Sequence, residues 1–238
     1  MSPRPIRAQA PVALAESILD VAWKQIAQSG LDGINLRAIG RALGITAPAI
    51  YHYYPDRTAL LQALRQRHLQ SGMQQLQQVW QKHGTRRAYV GLHALWHEYR
   101  RWATAQPHAY MVVFMHDPQL PTLPVWAMQL LLPFVHATDA LRQQNQMRIR
   151  TNLSLTATGQ AQLTAWQSVV GQVDATAIAT ATVMWSRMHG LMSVEVGQHI
   201  PACGVEYAQL FRFELNAMMR ELFYTPHIST THAQEELL

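Results

Sequence analysis

Two stretches carry side chains whose types and spacing could do chemistry. Tyr51-His52-Tyr53-Tyr54 puts phenol hydroxyls and an imidazole into one short segment, and such groups serve both phosphate oxygens and base edges. His93 and His97 stand four residues apart, a spacing that lets two imidazoles chelate a metal from one helical face. Twelve His make such a pair common by chance, no Cys or carboxylate stands at ligand spacing, and His97-Glu98-Tyr99-Arg100-Arg101 lacks the second His of a zinc hydrolase motif. No metal and no cofactor is therefore expected. GxSxG, P-loop and dinucleotide fingerprints are missing too, so no catalytic residue is assigned and no enzyme is expected. Six of the seven Trp and ten of the eleven Met lie beyond residue 70. That composition makes an ordinary core, and it also suits the lining of a pocket for a hydrophobic ligand. His93, Trp96 and His97 are candidates for either role.

The elements that must position these groups are helical throughout. Leu14, Ile18, Ala22 and Ile26 recur every four residues before Gly30 and predict a first helix over 12–29. Asn35 is a good N-cap for a two-turn helix whose Leu36, Ile39, Gly40 and Leu43 share one face, with Gly44 as its left-handed stop. Thr46 is expected to cap a third short helix in which Pro48 is harmless, because first-turn amides have no intrahelical partner. Pro55 ends it, and Asp56 can cap a long fourth helix running toward Lys82. Further helices are predicted over 86–106, 107–116, 124–144, 162–170, 174–197 and 205–223, and the Gln/Asn/Thr-rich stretch 143–164 reads as loop. The expected fold is all-α. Its parts are an arm at 1–11, a three-helix unit at 12–56, a longer helical domain at 57–225, and a tail at 226–238.

Charge supports that division. The 238-residue chain is only 14% charged, with a formal net charge of +5; globular domains carry about 25% charged residues. Residues 1–70 hold eight Lys/Arg against four Asp/Glu, and the rest is nearly balanced. Such asymmetry suits a module facing a polyanion joined to an electrically quiet one. No apolar run approaches the ~18 residues of a membrane span, and a single cysteine, Cys203, cannot form an internal disulfide. A cytoplasmic protein with no membrane partner is expected. Two short helices joined by Leu43-Gly44-Ile45-Thr46 have the dimensions of a helix-turn-helix, whose second helix fits the major groove of DNA.

Ile18 to Leu64, including Leu-Arg-Ala-Ile-Gly-Arg-Ala-Leu-Gly-Ile-Thr-Ala-Pro-Ala-Ile-Tyr-His-Tyr-Tyr-Pro-Asp-Arg over 36–57, resembles the TetR family of bacterial repressors. The resemblance implies a homodimer that holds double-stranded operator DNA and releases it when a small-molecule effector binds the C-terminal domain. It places Arg37 at a base-reading position, where its two-pronged donor suits guanine. Thr46 falls at the phosphate-facing start of the recognition helix. Ala47, Ala49, Tyr51, His52 and Tyr53 fall on the groove and backbone face, and Arg57 on a phosphate. Ile50 and Tyr54 fall on core positions. Ala47, Pro48 and Ala49 are small and apolar where polar base-readers often stand, which leaves a second reading open: a helical sensor or interaction protein without specific DNA reading.

Trp185-Ser-Arg-Met-His-Gly190, with Pro107-His-Ala-Tyr110 upstream, resembles the C-terminal domain of the Trp/His/Gly-signature (WHG) subgroup of that family. Effector-pocket candidates are His93, Trp96, His97, Tyr110, Phe114, Trp126, Trp185 and His189. The last two helices would form the dimer interface, through Met184, Met188, Met192, Phe211, Leu215, Met218 and Leu222.

Overall fold

The computed structural model describes residues 11–114, 129–148, 156–198 and 204–224, apart from the side chains of residues 11, 47, 162, 169 and 170. The expected arm, tail and Cys203, and the start of the helix expected at 124, lie outside them. Ten α-helices are found among the described residues: α1 (Pro11–Ser29), α2 (Leu36–Leu43), α3 (Ala47–Tyr53), α4 (Arg57–His83), α5 (Ala88–Ala105), α6 (Pro107–Phe114), α7 (Leu132–Gln143), α8 (Ala157–Val170), α9 (Ala175–Gly197) and α10 (Tyr207–Leu222). A 3-10 turn, Leu31–Gly33, follows α1.

The chain divides into two units, one formed by residues 1–71 and 106–118 and the other by 72–105 and 119–238. In the first, Asn35 Oδ1 accepts from the Ala38 amide and fixes the start of α2. Gly44, at φ 66°, ends it in the left-handed region that costs a side chain dearly. Asp56 Oδ1 accepts from the Ala59 amide at the start of α4. These caps hold α1, α2 and α3 around Ile18, Ala22, Ile26, Ile39 and Ile50, all fully buried. Leu60, Leu61 and Leu64 of α4 and Val112 of α6 complete the same core. The unit therefore extends past the boundary expected at residue 56, because α1, α2 and α3 alone leave an apolar face that α4 and α6 cover.

Arg65 is buried in that unit, at 2% exposure, and its Nε donates to the Val112 carbonyl at 3.1 Å. His68 is also buried, its ring 4.0 Å from that of Trp23.

In the second unit α7 packs between α5 and α9, and α10 packs against α9 and α5. Fully buried Trp96, Tyr99, Phe134, Met184, Met188, Met192, Phe211 and Leu215 form its interior. Arg100 joins α5 to α9 through both oxygens of Glu195, and Arg187 joins α9 to Glu214 and Glu221 of α10. The loop expected over 143–164 is shorter than its composition suggests. Thr156 Oγ1 accepts from the Gly159 amide and starts α8, so residues 157–164 are helical. Gln and Ala are good helix formers, and a helix with no buried side chain among those described needs no apolar stripe.

One contact is not helical. Residues 146–148, just after α7, pair antiparallel with 222–224 at the end of α10. The Arg148 amide donates to Leu222 and the Tyr224 amide to Gln146, while the Arg148 guanidinium sits 5.0 Å from the Tyr224 ring centre.

Candidate functional site

In the first unit α2 and α3 form the helix-turn-helix that carries the residues predicted to meet DNA. Arg37, Thr46, Tyr51 and His52 are exposed, and Ala49 and Tyr53 are half-buried. The His52 and Tyr53 rings meet edge to face at 5.4 Å. Ala47 opens α3, and its side chain lies outside the described residues. Ile50 is fully buried, and Tyr54 is half-buried with its hydroxyl donating to the Ala15 carbonyl at 3.3 Å, so both pack.

Three details differ from the sequence reading. Thr46 stands at the N-cap with extended backbone, but its hydroxyl makes no capping bond; Pro48 removes one first-turn amide that it could have met. Arg57 is about half exposed, yet Nη2 donates to the Leu31 carbonyl at 2.8 Å and lies 3.5 Å from Asp32. The guanidinium thus anchors α4 to the turn after α1, with N–H groups remaining for a phosphate. Arg41, one turn beyond Arg37 on α2, is exposed as well. The i, i+4 spacing of two Arg on a short capped helix was the signal that could have found it.

In the second unit Trp185 of α9 lies against two other helices and a residue of its own. Its ring centre is 4.8 Å from Tyr99 and 6.1 Å from Trp96 on α5, 5.5 Å from Phe134 on α7, and 5.7 Å from His189, nearly parallel to it. The Tyr99 hydroxyl hydrogen-bonds His189 Nδ1 at 2.7 Å. Of the predicted pocket residues, Trp96, Trp185 and His189 come together here, joined by Tyr99 and Phe134, which sequence reading missed. Tyr99 follows Trp96 by three residues and was findable on that spacing; nothing local marked Phe134. His93 and His97 face α10 instead. His93 Nε2 lies 3.4 Å from Asn216 Oδ1, and the His97 ring 5.3 Å from Phe211. Tyr110 and Phe114 meet at a tilt on α6 in the first unit, rings 4.8 Å apart. Trp126 lies outside the described residues.

The predicted dimer contacts need correction. Met184, Met188, Met192, Phe211, Leu215, Met218 and Leu222 are each at most 5% exposed within the single chain, so they hold α9 and α10 in their own unit and have no surface left for a partner. The outward positions of these helices include Val183 and Phe213, at 53% and 71% exposure, together with Ser186 and Gly190. A Cβ at Gly190 would meet nothing within 4 Å.

Burial lowers the pKa of His68, His97 and His189 to about 4, with Arg67 adding to the effect on His68 and with His93, Arg100 and Arg212 adding at His97. His93 is lowered by burial as well, against the opposing bond to Asn216. The unfolded chain takes up protons on these groups below about pH 6.5 while the fold resists them. Their stabilisation is therefore complete above that pH and is lost as the pH falls toward 4. Thermal melting should show a plateau above pH 7 and a decline from 6.5 to 4; a midpoint that stays level across this window would contradict neutral imidazoles at these positions.

A capped helix-turn-helix with a basic and hydroxyl-rich outer side, in one chain with an aromatic helical unit, defines a DNA-binding transcriptional regulator with a separate sensing part. The profile of the "Bacterial regulatory proteins, tetR family" matches residues 18–64, and that of the "Tetracyclin repressor-like, C-terminal domain" matches residues 92–218. The chain belongs to the TetR family and is a ligand-responsive DNA-binding regulator. Among solved structures it is similar to the regulatory protein SCO4313, with a TM-score of 0.67 and 25% identity over 87% of this chain and 95% of that one. It is also similar to a protein of unknown function from Rhodococcus sp. RHA1, at 0.69 and 17% over 93% and 100%. The ketosteroid transcriptional regulator KstR2 of Mycobacterium tuberculosis matches at 0.53 and 14% over 91% and 98%. The latter two share the fold. No curated protein matches the sequence. No described helix is long and apolar enough to cross a membrane.

Proposed function

We propose that the protein is a cytoplasmic, homodimeric repressor, with no enzymatic activity of its own, that holds a near-palindromic operator and is released by a small hydrophobic effector. The observation that carries this reading is the outer side of α2 and α3, where Arg37, Arg41, Thr46, Tyr51 and His52 are all exposed on a core-anchored helix-turn-helix. Arg37 reads a base, while Arg41, Thr46, Tyr51 and Arg57 meet phosphates, and His52 and Tyr53 serve either. Ala49 offers only a methyl contact to thymine. Two copies joined through the outward positions of α9 and α10 would set two recognition helices about 34–36 Å apart. The effector enters the second unit and favours a dimer geometry that misfits this spacing; by linkage, operator and effector weaken each other's binding by one factor.

A gel-shift titration with the DNA upstream of the protein's own gene tests the reading. Arg57→Ala should weaken binding to all sequences alike and reduce the salt slope by about one unit, whereas Arg37→Ala should relax preference at a single base position in each half-site. Equal losses on every sequence for both variants would take Arg37 out of base readout, and no preference of the unmodified protein for any DNA would overturn the function.

A further inference from the structure

We infer that the effector is a neutral, planar aromatic molecule carrying a hydrogen-bond-accepting oxygen, taken up against Trp96, Tyr99, Phe134 and Trp185. The inference rests on the reading that the second unit senses the effector, and it adds the chemistry of what is sensed.

Three observations narrow that chemistry. The first is shape. Trp96 lies 4.1 Å from Phe134, Tyr99 is stacked with Trp102 at 6.1 Å, and Trp185 is nearly parallel to His189. Ring faces and edges in this density favour another flat ring, which gains offset-stacked and edge contacts that a flexible alkyl chain does not. Trp185 is only half-buried although its neighbours Trp96, Tyr99 and Phe134 are almost wholly buried, so it forms the solvent-side wall of the cluster.

The second is a donor in need of an acceptor. Trp96 is fully buried, and its indole Nε1 has no hydrogen-bond partner among the described residues. Buried polar groups are almost always paired, and Phe would fill a purely structural ring position without that cost. An oxygen on the ligand satisfies the N–H, and a ligand lacking one leaves it buried and unpaired.

The third is charge. The carboxylate of Glu195 is engaged by Arg100 and that of Glu98 by Arg101, so each acid nearest on α5 and α9 already has its counter-ion. His189 is held neutral by burial. An anionic ligand would gain Arg100 or Arg101 only by breaking one of these pairs. A cation would find aromatic faces but also the positive edge of an indole N–H, which repels it.

Calorimetric titration of the full-length protein with four compounds of one shape tests the inference: 2-acetylnaphthalene, 2-ethylnaphthalene, 2-naphthoate and trimethyl(2-naphthyl)ammonium. The acetyl compound should bind at least about tenfold tighter than the ethyl compound, the cost of one unpaired buried donor, and tighter than either ion. Trp96→Phe should bring the acetyl and ethyl compounds to equal affinity, whatever the smaller ring costs both in contact. Equal affinity for acetyl and ethyl compounds, preference for an ion, or no binding of any of the four overturns the inference. The comparison on the unmodified protein stands even if the variant fails to fold. A protein that holds its operator but ignores all four loses this inference alone; one that binds no DNA loses the functional reading instead.

Discussion

Phe213→Asp is expected to leave each subunit folded, to abolish the dimer, and to lower operator affinity by a hundredfold or more. Phe213 is 71% exposed in the single chain, so a polar replacement there disturbs the subunit by no more than about 0.5 kcal/mol. In a dimer formed through the outward positions of α9 and α10, the same Asp would be buried without a partner, which is among the most costly changes an interface can suffer. The two DNA-binding units of a dimer gain about 10²–10⁴ over one unit from effective concentration alone, and a monomer forfeits it. Gly190→Arg should act in the same direction, because the space above Gly190 is open in one chain and would be filled by a partner's backbone. Met188→Ala makes the contrast: Met188 is fully buried, so its truncation should cost about 2–5 kcal/mol of stability and leave the oligomeric state unchanged. Analytical ultracentrifugation with a melting curve for each variant separates these outcomes. A Phe213→Asp protein that sediments as a dimer would move the interface to another face.

The contrast between Phe213 and the methionines shows what a helical stripe in a sequence can and cannot say. Phe211, Leu215, Met218 and Leu222 repeat at the spacing of one face, and that face is buried; the period does not tell whether it is buried by the chain's own α5 and α9 or by a second copy. Phe213 sits two positions off the stripe and looks like an isolated surface residue, so its meaning depends on which side α10 turns inward. The helix-turn-helix was far more legible. Asn35, Gly44 and Asp56 act through bonds to residues at most four positions away, and such local chemistry can be read from adjacent letters. Thr46 was misjudged because the type of a capping residue does not fix its rotamer. The start of α8 was missed because a solvated polar helix shares its composition with a loop. The aromatic cluster was half legible: Trp96 and Tyr99 are neighbours on α5, whereas Phe134 and Trp185 reach them only through the packing of α7 and α9, which no spacing encodes.

Arg65 was invisible for a related reason, and it supports the other large effect. Leu60, Leu61, Leu64 and Leu69 mark the inner side of α4, and an Arg beside them reads as a solvated edge; in the structure it is the second largest fully buried side chain among the described residues. Its Nε bond to Val112 ties α4 to α6 within the unit that carries the recognition helix. Arg65→Ala would leave the Val112 carbonyl buried with that bond lost, at about 1–3 kcal/mol, and would open a cavity of a long side chain, at about 2–5 kcal/mol by analogy with apolar truncations. The combined loss, several kcal/mol, is comparable with the whole stability of a small unit. Arg65→Met fills much of the volume and removes the cost of holding a charge out of water, so it should recover most of the loss. Amide hydrogen exchange resolves where the effect falls. Protection should collapse in α1–α3 and α6 of Arg65→Ala and persist in α9 and α10, with operator binding weakened in parallel. Uniform loss of protection across both units would mean that the two melt as one body, and unchanged protection in α6 would show that the guanidinium is not what holds that helix to α4.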